Sequence, residues 1–238
     1  MSRIWLGLVM ALIGNSACAP TVHTARLQDV KKAALIGYHI EGISAPDVDE
    51  SPAYDYGAPT EHESTVAAYQ TLANALTAKF NWEMTPIEAI TDDPFYNKLR
   101  IEHQRRTTKY WEGGSMRIED FMWSRPPQRL TLSEQRQLME NFGVDALVTS
   151  GVFIGRGSGL STQGSTPIMA IIHLHVYDGV DSEPIWSDIQ ATGKSSAHFN
   201  PRGTFEEQGE TFGKVLGYAY ETLFKQYDKA VKAAEKNP

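Results

Sequence analysis

Three strand patterns follow one another between residues 144 and 192, with only turn and loop residues between them. They cover residues 144–153, 168–177 and 184–192, and each is rich in apolar and β-branched side chains. Consecutive strands of this kind bury their apolar side chains by pairing into one sheet that another layer must cover. The meander therefore limits the chain to a sheet-based fold.

The first half of the chain alternates strand and helix patterns. Residues 33–40 predict a buried strand, residues 64–80 a helix, residues 82–90 a second strand and residues 95–106 a further helix. In the first of these helices, the apolar residues recur at helical spacing: Val66, Tyr69, Leu72, Ala73, Leu76 and Phe80.

Two capping boxes mark the starts of the remaining helices. Thr131 and Glu134 open a helix that Gly143 ends, and Thr204 and Glu207 open the last and longest one. The last helix carries one apolar stripe, which we expect to pack across the sheet: Phe205, Phe212, Leu216, Ala219, Leu223 and Tyr227.

The predicted order of elements is β-α-β-α-α-β-β-β-α. Alternation followed by a meander predicts an α/β (α+β) fold with a single mixed β-sheet of about five strands covered by helices. With one cysteine, the chain has no internal disulfide, so that packing alone must stabilise this domain.

An export signal precedes this domain. Residues 1–3 are polar and basic, residues 4–13 are apolar, and residues 14–17 are small or polar. A helix that spans a bilayer needs about 20 apolar residues, and the shorter run here is typical of a secretory signal peptide. Residues 1–17 are therefore predicted to be removed.

The only cysteine, Cys18, stands directly after this signal. Ser16, Ala17 and Cys18 resemble the end of a bacterial lipobox, although Asn15 occupies the position where an aliphatic residue is usual. The alternative is an ordinary cut after Ala19, which would place Pro20 at the new amino terminus and leave the cysteine incidental. We favour lipidation of Cys18.

Lipidation divides the chain into three parts: the signal peptide 1–17, a lipid-anchored tether 18–30 and a single periplasmic domain 31–238. By resemblance to enterobacterial sorting, Ala19 after the lipidated cysteine indicates the outer membrane, with the domain on its periplasmic face. Within the domain, residues 42–63 carry six acidic and no Lys or Arg residues and are predicted to form an acidic loop.

The charge excludes nucleic acid as a partner. The chain has 22 basic and 29 acidic residues, a net charge of −7, and removal of the signal takes away Arg3 but no acidic residue. Binding to a phosphate backbone requires a basic surface. Anionic lipid would not attract this domain either, so that the lipid on Cys18 must hold it at the membrane.

His173 and His175 are the residues most suggestive of a site. They alternate on a predicted strand, and both imidazoles therefore lie on one face with Tyr177. A zinc site needs at least three protein ligands, and Asp188 and His198 are the only further candidates. We favour a polar, half-exposed sheet face without a metal, and we predict no cofactor and no catalytic residues.

Residues 140–194 carry a family resemblance. The stretch NFGVDALVTSGVF and the hairpin IIHLHVYDGVDSEPIWSDIQATGKS are similar to segments of bacterial envelope lipoproteins, the group that includes the curli secretion lipoprotein, the TolB amino-terminal domain and LpoB. The resemblance implies a protein that binds, assembles or activates an envelope partner and has no enzymatic activity.

We therefore expect a lipid-anchored, non-catalytic binding or assembly module in the periplasm. Its partners are the membrane, through Cys18, and an envelope protein. Two alternatives stay open: a metal-dependent envelope enzyme built on His173 and His175, and a structural subunit of a secretion or envelope assembly.

Overall fold

The computed structural model of the chain describes residues 21–41, 58–107, 115–117, 130–156, 166–191, 197–199 and 205–236. The strands in these ranges are β1 (Thr21–Val22), β2 (Lys32–Glu41), β3 (Glu83–Met84), β4 (Ser115–Arg117), β5 (Ala146–Arg156), β6 (Thr166–Tyr177), β7 (Trp186–Ala191) and β8 (Ala197–Phe199). The helices are α1 (Thr24–Asp29), α2 (Ala58–Phe80), α3 (Ile87–Thr91), α4 (Pro94–Thr107), α5 (Leu132–Phe142) and α6 (Phe205–Lys236). None of these described helices is long and apolar enough to cross a membrane.

The strands form one mixed sheet in the order β1-β7-β6-β5-β2-β3, with β4 paired to β2 and β8 paired to β6. β2 runs parallel to β3 and β5, whereas β5, β6, β7 and β1 are antiparallel neighbours. The predicted α+β fold with a single mixed sheet is confirmed, and the three strands of the meander are adjacent as expected.

Helices cover the two faces of the sheet in different ways. The connection from β2 to β3 contains α2, and the connection from β3 back to β5 contains α3 to α5. Because the two connections run in opposite directions across the sheet, the right-handed rule for parallel crossovers puts them on opposite faces. The face under α2, which we call the core face, also receives α6, since the hydroxyls of Tyr38 on β2 and Tyr220 on α6 lie 3.1 Å apart. On the other face, the Tyr96 hydroxyl of α4 donates to the Ile36 carbonyl at 2.7 Å.

The predicted core residues of the helices are largely confirmed. Tyr69, Leu72 and Leu76 of α2 are buried, as are Leu216, Ala219 and Leu223 of α6. At α5, the capping box of Thr131 and Glu134 is present, and Gly143 ends the helix in the left-handed conformation at φ 63°. The side chains of Phe205 and Phe212 lie outside the described residues.

The predicted strand over residues 82–90 is wrong beyond Met84. Only Glu83 and Met84 pair with β2, and α3 begins at Ile87 directly after Pro86. Proline has no amide hydrogen to donate to a sheet ladder, and its φ of −58° here suits the start of a helix. Trp82 is buried all the same, stacked on Phe80 with ring centroids 4.7 Å apart.

Two predicted boundaries also need correction. Residues 58–63 of the predicted acidic loop belong to α2, and residues 21–30 of the predicted tether form β1 and α1 with Leu27 and Val30 buried. Burial of these two apolar side chains makes the segment part of the folded domain. Cys18 and residues 42–57 lie outside the described residues.

Candidate binding face and anchor junction

The sheet has one face that is only partly covered. On the core face, every central residue of β5, β6 and β7 is buried, whereas on the opposite face six central residues of these strands are half-buried beside the buried Leu147, Gly151 and Tyr177. We call this second set the histidine face: Thr149, Phe153, Ile171, His173, His175 and Ser187. A sheet with one packed and one partly solvated face is typical of antiparallel strands.

A polar row crosses the histidine face from strand to strand. His175 lies opposite Thr149 of β5 on one side and opposite Ser187 of β7 on the other. The Ser187 hydroxyl and the His175 Nδ1 atom are 2.9 Å apart, a hydrogen-bonding distance. Ser187 in turn lies opposite Thr21 of β1, so that this row reaches the first described residue of the chain.

His173 belongs to the next row. Gly151 separates it from His39 of β2, which pairs with Gly151 from the other side. His39 is buried, whereas His173 is half-buried. Sequence reasoning missed the alignment of His39 with His173, because their shared row depends on the pairing of β2 with β5.

The structure does not bring the four metal-ligand candidates together. His173 and His175 do share a face as predicted, but Asp188 pairs with Leu174 and therefore lies on the core face, where it is 2% exposed. His198 pairs with Pro167, six residues before His173 on β6 and thus about 20 Å away along the strand. Within the described ranges, no three His, Cys, Asp or Glu residues are grouped so that they could hold a metal ion.

The chemistry of the histidine face suits binding. Its imidazole, hydroxyl and apolar groups lie on rigid central strands, where they can form hydrogen bonds and apolar contacts with another surface. The Ser187–His175 pair has the spacing of an ordinary cross-strand contact. Asp188, the acidic neighbour of Ser187, cannot orient His175 because it points to the opposite face.

A second feature lies at the start of the described chain. Thr21 and Val22 pair with Ser187 and Trp186 at the edge of β7, and the His23 amide donates to the Ile185 carbonyl at 2.7 Å. We call this region, together with Arg26 and its partners described next, the anchor junction. It joins the end of the predicted tether to the sheet.

Arg26 of α1 fixes this junction to the turn between β6 and β7. Its guanidinium donates to both carboxylate oxygens of Asp178, at 2.7 and 2.5 Å, and to Asp181 at 2.9 Å. Two-point contacts of this kind hold both partners in one orientation. Arg136 of α5 donates to the Gly179 and Val180 carbonyls, at 2.8 and 3.1 Å, and so holds the same turn from its other side.

The electrostatics of the junction agree with its geometry. Burial alone would raise the pKa of Asp178, but the hydrogen bonds from Arg26 and from the Val180 amide lower this pKa below its ordinary value. The hydrogen bond from Arg26 also lowers the pKa of Asp181. Hydrogen bonding to Asp178 raises the pKa of Arg26, so that this guanidinium stays charged.

Removal of Arg26 is therefore expected to weaken the fold in a pH-dependent way. A carboxylate with a lowered folded-state pKa contributes stability above its unfolded pKa of about 4, and this contribution is lost as the pH falls through the folded value. At pH 7, Arg26→Ala should lower the free energy of unfolding by about 1 kcal/mol. Below about pH 4, the urea midpoints of variant and parent should converge.

Lys225→Ala is the matched control. Lys225 forms an ion pair with Glu221 at 3.3 Å, but both side chains are well exposed. Exposed pairs contribute little to stability, and this variant should keep the parental midpoint at every pH. A constant deficit of Arg26→Ala from neutral to acid pH would contradict an ionic role for Arg26.

Comparisons with known proteins give distant structural similarities. No protein-family model and no curated protein matches the chain. Among solved structures, the chain is similar to a lipoprotein from Neisseria meningitidis, at 11% identity and a TM-score of 0.35, over 79% of this chain and 96% of that one. It is also similar to the LpoB C-terminal domain from Salmonella enterica, at 12% identity and a TM-score of 0.31, over 81% of this chain and 100% of that domain.

Proposed function

We propose that this protein is a lipid-anchored lipoprotein of the bacterial envelope that binds an envelope protein and catalyses no reaction. One observation carries the proposal: Cys18 directly follows the predicted export signal and lies only three positions before Thr21, the first described residue, which is paired into the sheet. A thiol directly after an export signal is available for modification at the membrane. Lipid attached there would lie close to the folded domain.

The lipid on Cys18 is what holds the protein at the membrane. A single acyl chain binds a bilayer marginally and reversibly, whereas two or more chains give stable anchoring. The net negative charge of the chain offers no electrostatic attraction to anionic lipid. With Ala19 after the modified cysteine, we assign the anchor to the periplasmic face of the outer membrane.

The histidine face is the surface that we assign to the protein partner. Its residues are half-buried, and they lie on the strands that also form the core, so that binding would require little rearrangement of the backbone. It also combines apolar side chains with imidazole and hydroxyl groups, a mixture typical of interfaces between folded proteins.

Metabolic labelling with an alkyne fatty acid tests the lipid anchor. Wild-type protein should take up the label, and the Cys18→Ser variant should take up none, because the variant offers no thiol to the modifying enzymes. Ser16→Ala serves as a control that changes a neighbouring side chain and leaves the thiol in place. Unlabelled wild-type protein would contradict the proposed function.

A further inference from the structure

We infer that the β1 edge of the sheet faces the lipid bilayer at close range, so that the domain stands on the membrane with its sheet on edge. This inference rests on the proposed lipidation of Cys18. Beyond lipidation, the inference names the surface of the domain that meets the phospholipid headgroups. It also gives the direction in which the histidine face points.

The chain between the lipid and the domain has a short reach. Only three peptide steps separate Cys18 from Thr21, and a fully extended chain covers about 11 Å in that length. The headgroup layer on one side of a bilayer is about 5–8 Å thick. Lipid on Cys18 therefore holds Thr21 within a few ångströms of the outer limit of the headgroups, whatever path the intervening residues take.

Thr21 is itself fixed to the domain. Thr21 and Val22 pair with β7, the side chains of Leu27 and Val30 are buried, and Arg26 contacts the turn between β6 and β7. If residues 18–30 formed a free tether instead, its reach would be about 43 Å. The anchor junction thus reduces the reach to about a quarter of that length and fixes where the lipid attaches.

The strand order gives the domain its orientation relative to the membrane. β1 and β3 stand at opposite edges of the sheet, five strand spacings apart, which corresponds to about 24 Å. With the β1 edge held at the headgroups and the sheet on edge, β3 lies on the side away from the membrane. Both faces of the sheet then point sideways, and the histidine face is presented to a partner within about 25 Å of the membrane surface.

The charges near the junction indicate which kind of phospholipid headgroup this edge of the sheet suits. Asp178 and Asp181 are occupied by Arg26, and the chain as a whole is acidic. Within the described residues of the junction, the positive charge of Arg26 is thus balanced by two carboxylates and offers little attraction to anionic headgroups. This edge fits a neutral or weakly charged phospholipid surface, against which the covalent anchor holds it.

Energy transfer to labelled headgroups tests this orientation in the full lipidated protein. Because the sulfur of Cys18 is blocked by lipid, a second cysteine is the only thiol that reacts with a dye. His23→Cys places it at an exposed position two residues beyond Thr21, and Glu83→Cys places it on exposed β3 at the opposite edge. In phosphatidylethanolamine–phosphatidylglycerol vesicles with acceptor headgroups, the dye at residue 23 should lie about 20 Å closer to the acceptors than the dye at residue 83.

A lengthened tether provides the matched control. Insertion of about 20 Gly and Ser residues between Pro20 and Thr21 adds a chain with a root-mean-square length of about 25 Å. The domain can then tumble, and the difference in transfer between the two positions should disappear. Equal transfer at both positions without the insertion, or stronger transfer at residue 83, would overturn the orientation while leaving lipidation intact. A protein that takes up no fatty acid would overturn both.

Discussion

Leu216→Ala is expected to lower the free energy of unfolding by about 2–5 kcal/mol, a large part of the 5–15 kcal/mol that stabilises a typical domain. Leu216 is 4% exposed, and it lies on the stripe of α6 with Ala219 and Leu223, both fully buried. α6 covers the core face of the sheet, where Phe224 packs near Trp186 of β7 with ring centroids 6.5 Å apart. Truncation of Leu216 would leave a cavity in this layer.

Urea denaturation followed by tryptophan fluorescence measures this loss, because Trp82 and Trp186 are both buried in the same core. Lys232→Ala is the control on the same helix, since Lys232 is exposed and should keep the parental midpoint. If Leu216→Ala also unfolded at the parental midpoint, α6 would not contribute to the core. It would then be an arm with an apolar face, and the partner surface should be sought there.

If the proposed function holds, Cys18→Ser is expected to abolish maturation of the protein and its delivery to the outer membrane. Without the thiol no lipid is added, and the signal peptide should stay attached, which leaves a precursor longer by residues 1–17 in the inner membrane. The physical basis is the loss of acyl chains, each CH₂ of which contributes about 0.8 kcal/mol to membrane binding. Separation of inner and outer membranes followed by immunoblotting measures both the location and the size of the protein.

A domain without lipid completes this experiment. Residues 19–238 behind a signal that the ordinary peptidase cuts should appear in the soluble periplasmic fraction, because this form lacks Cys18 and therefore the lipid to which we assign membrane attachment. Recovery of this form in the outer membrane would show that contacts other than the lipid hold the protein there.

The parts of the fold that follow from local pattern were predictable. The capping box of Thr131 and Glu134, the left-handed Gly143 and the three strands of the meander depend on neighbouring residues in the sequence. The anchor junction was not predictable in this way. β1 has two residues and α1 has six, which is too few for a periodic pattern. Arg26 and its partner Asp178 are 152 positions apart in the sequence, so that no local pattern links them.

The candidate site, too, could be predicted only where it depends on local sequence pattern. Alternation within one strand placed His173 and His175 on a common face, because that period is fixed by strand geometry. It could not show that Asp188 lies on the other face or that His39 shares a row with His173. Those relations depend on the register between strands, which the turn after Tyr177 and the irregularity between Leu35 and Gly37 determine.

Mass spectrometry of the amino-terminal peptide of the mature protein tests lipid anchoring most directly. We predict a peptide that begins at Cys18 and carries the added mass of a diacylglyceryl group on its sulfur, with residues 1–17 absent. An unmodified peptide that begins at Pro20, as a cut after Ala19 would leave, would contradict the lipid anchor.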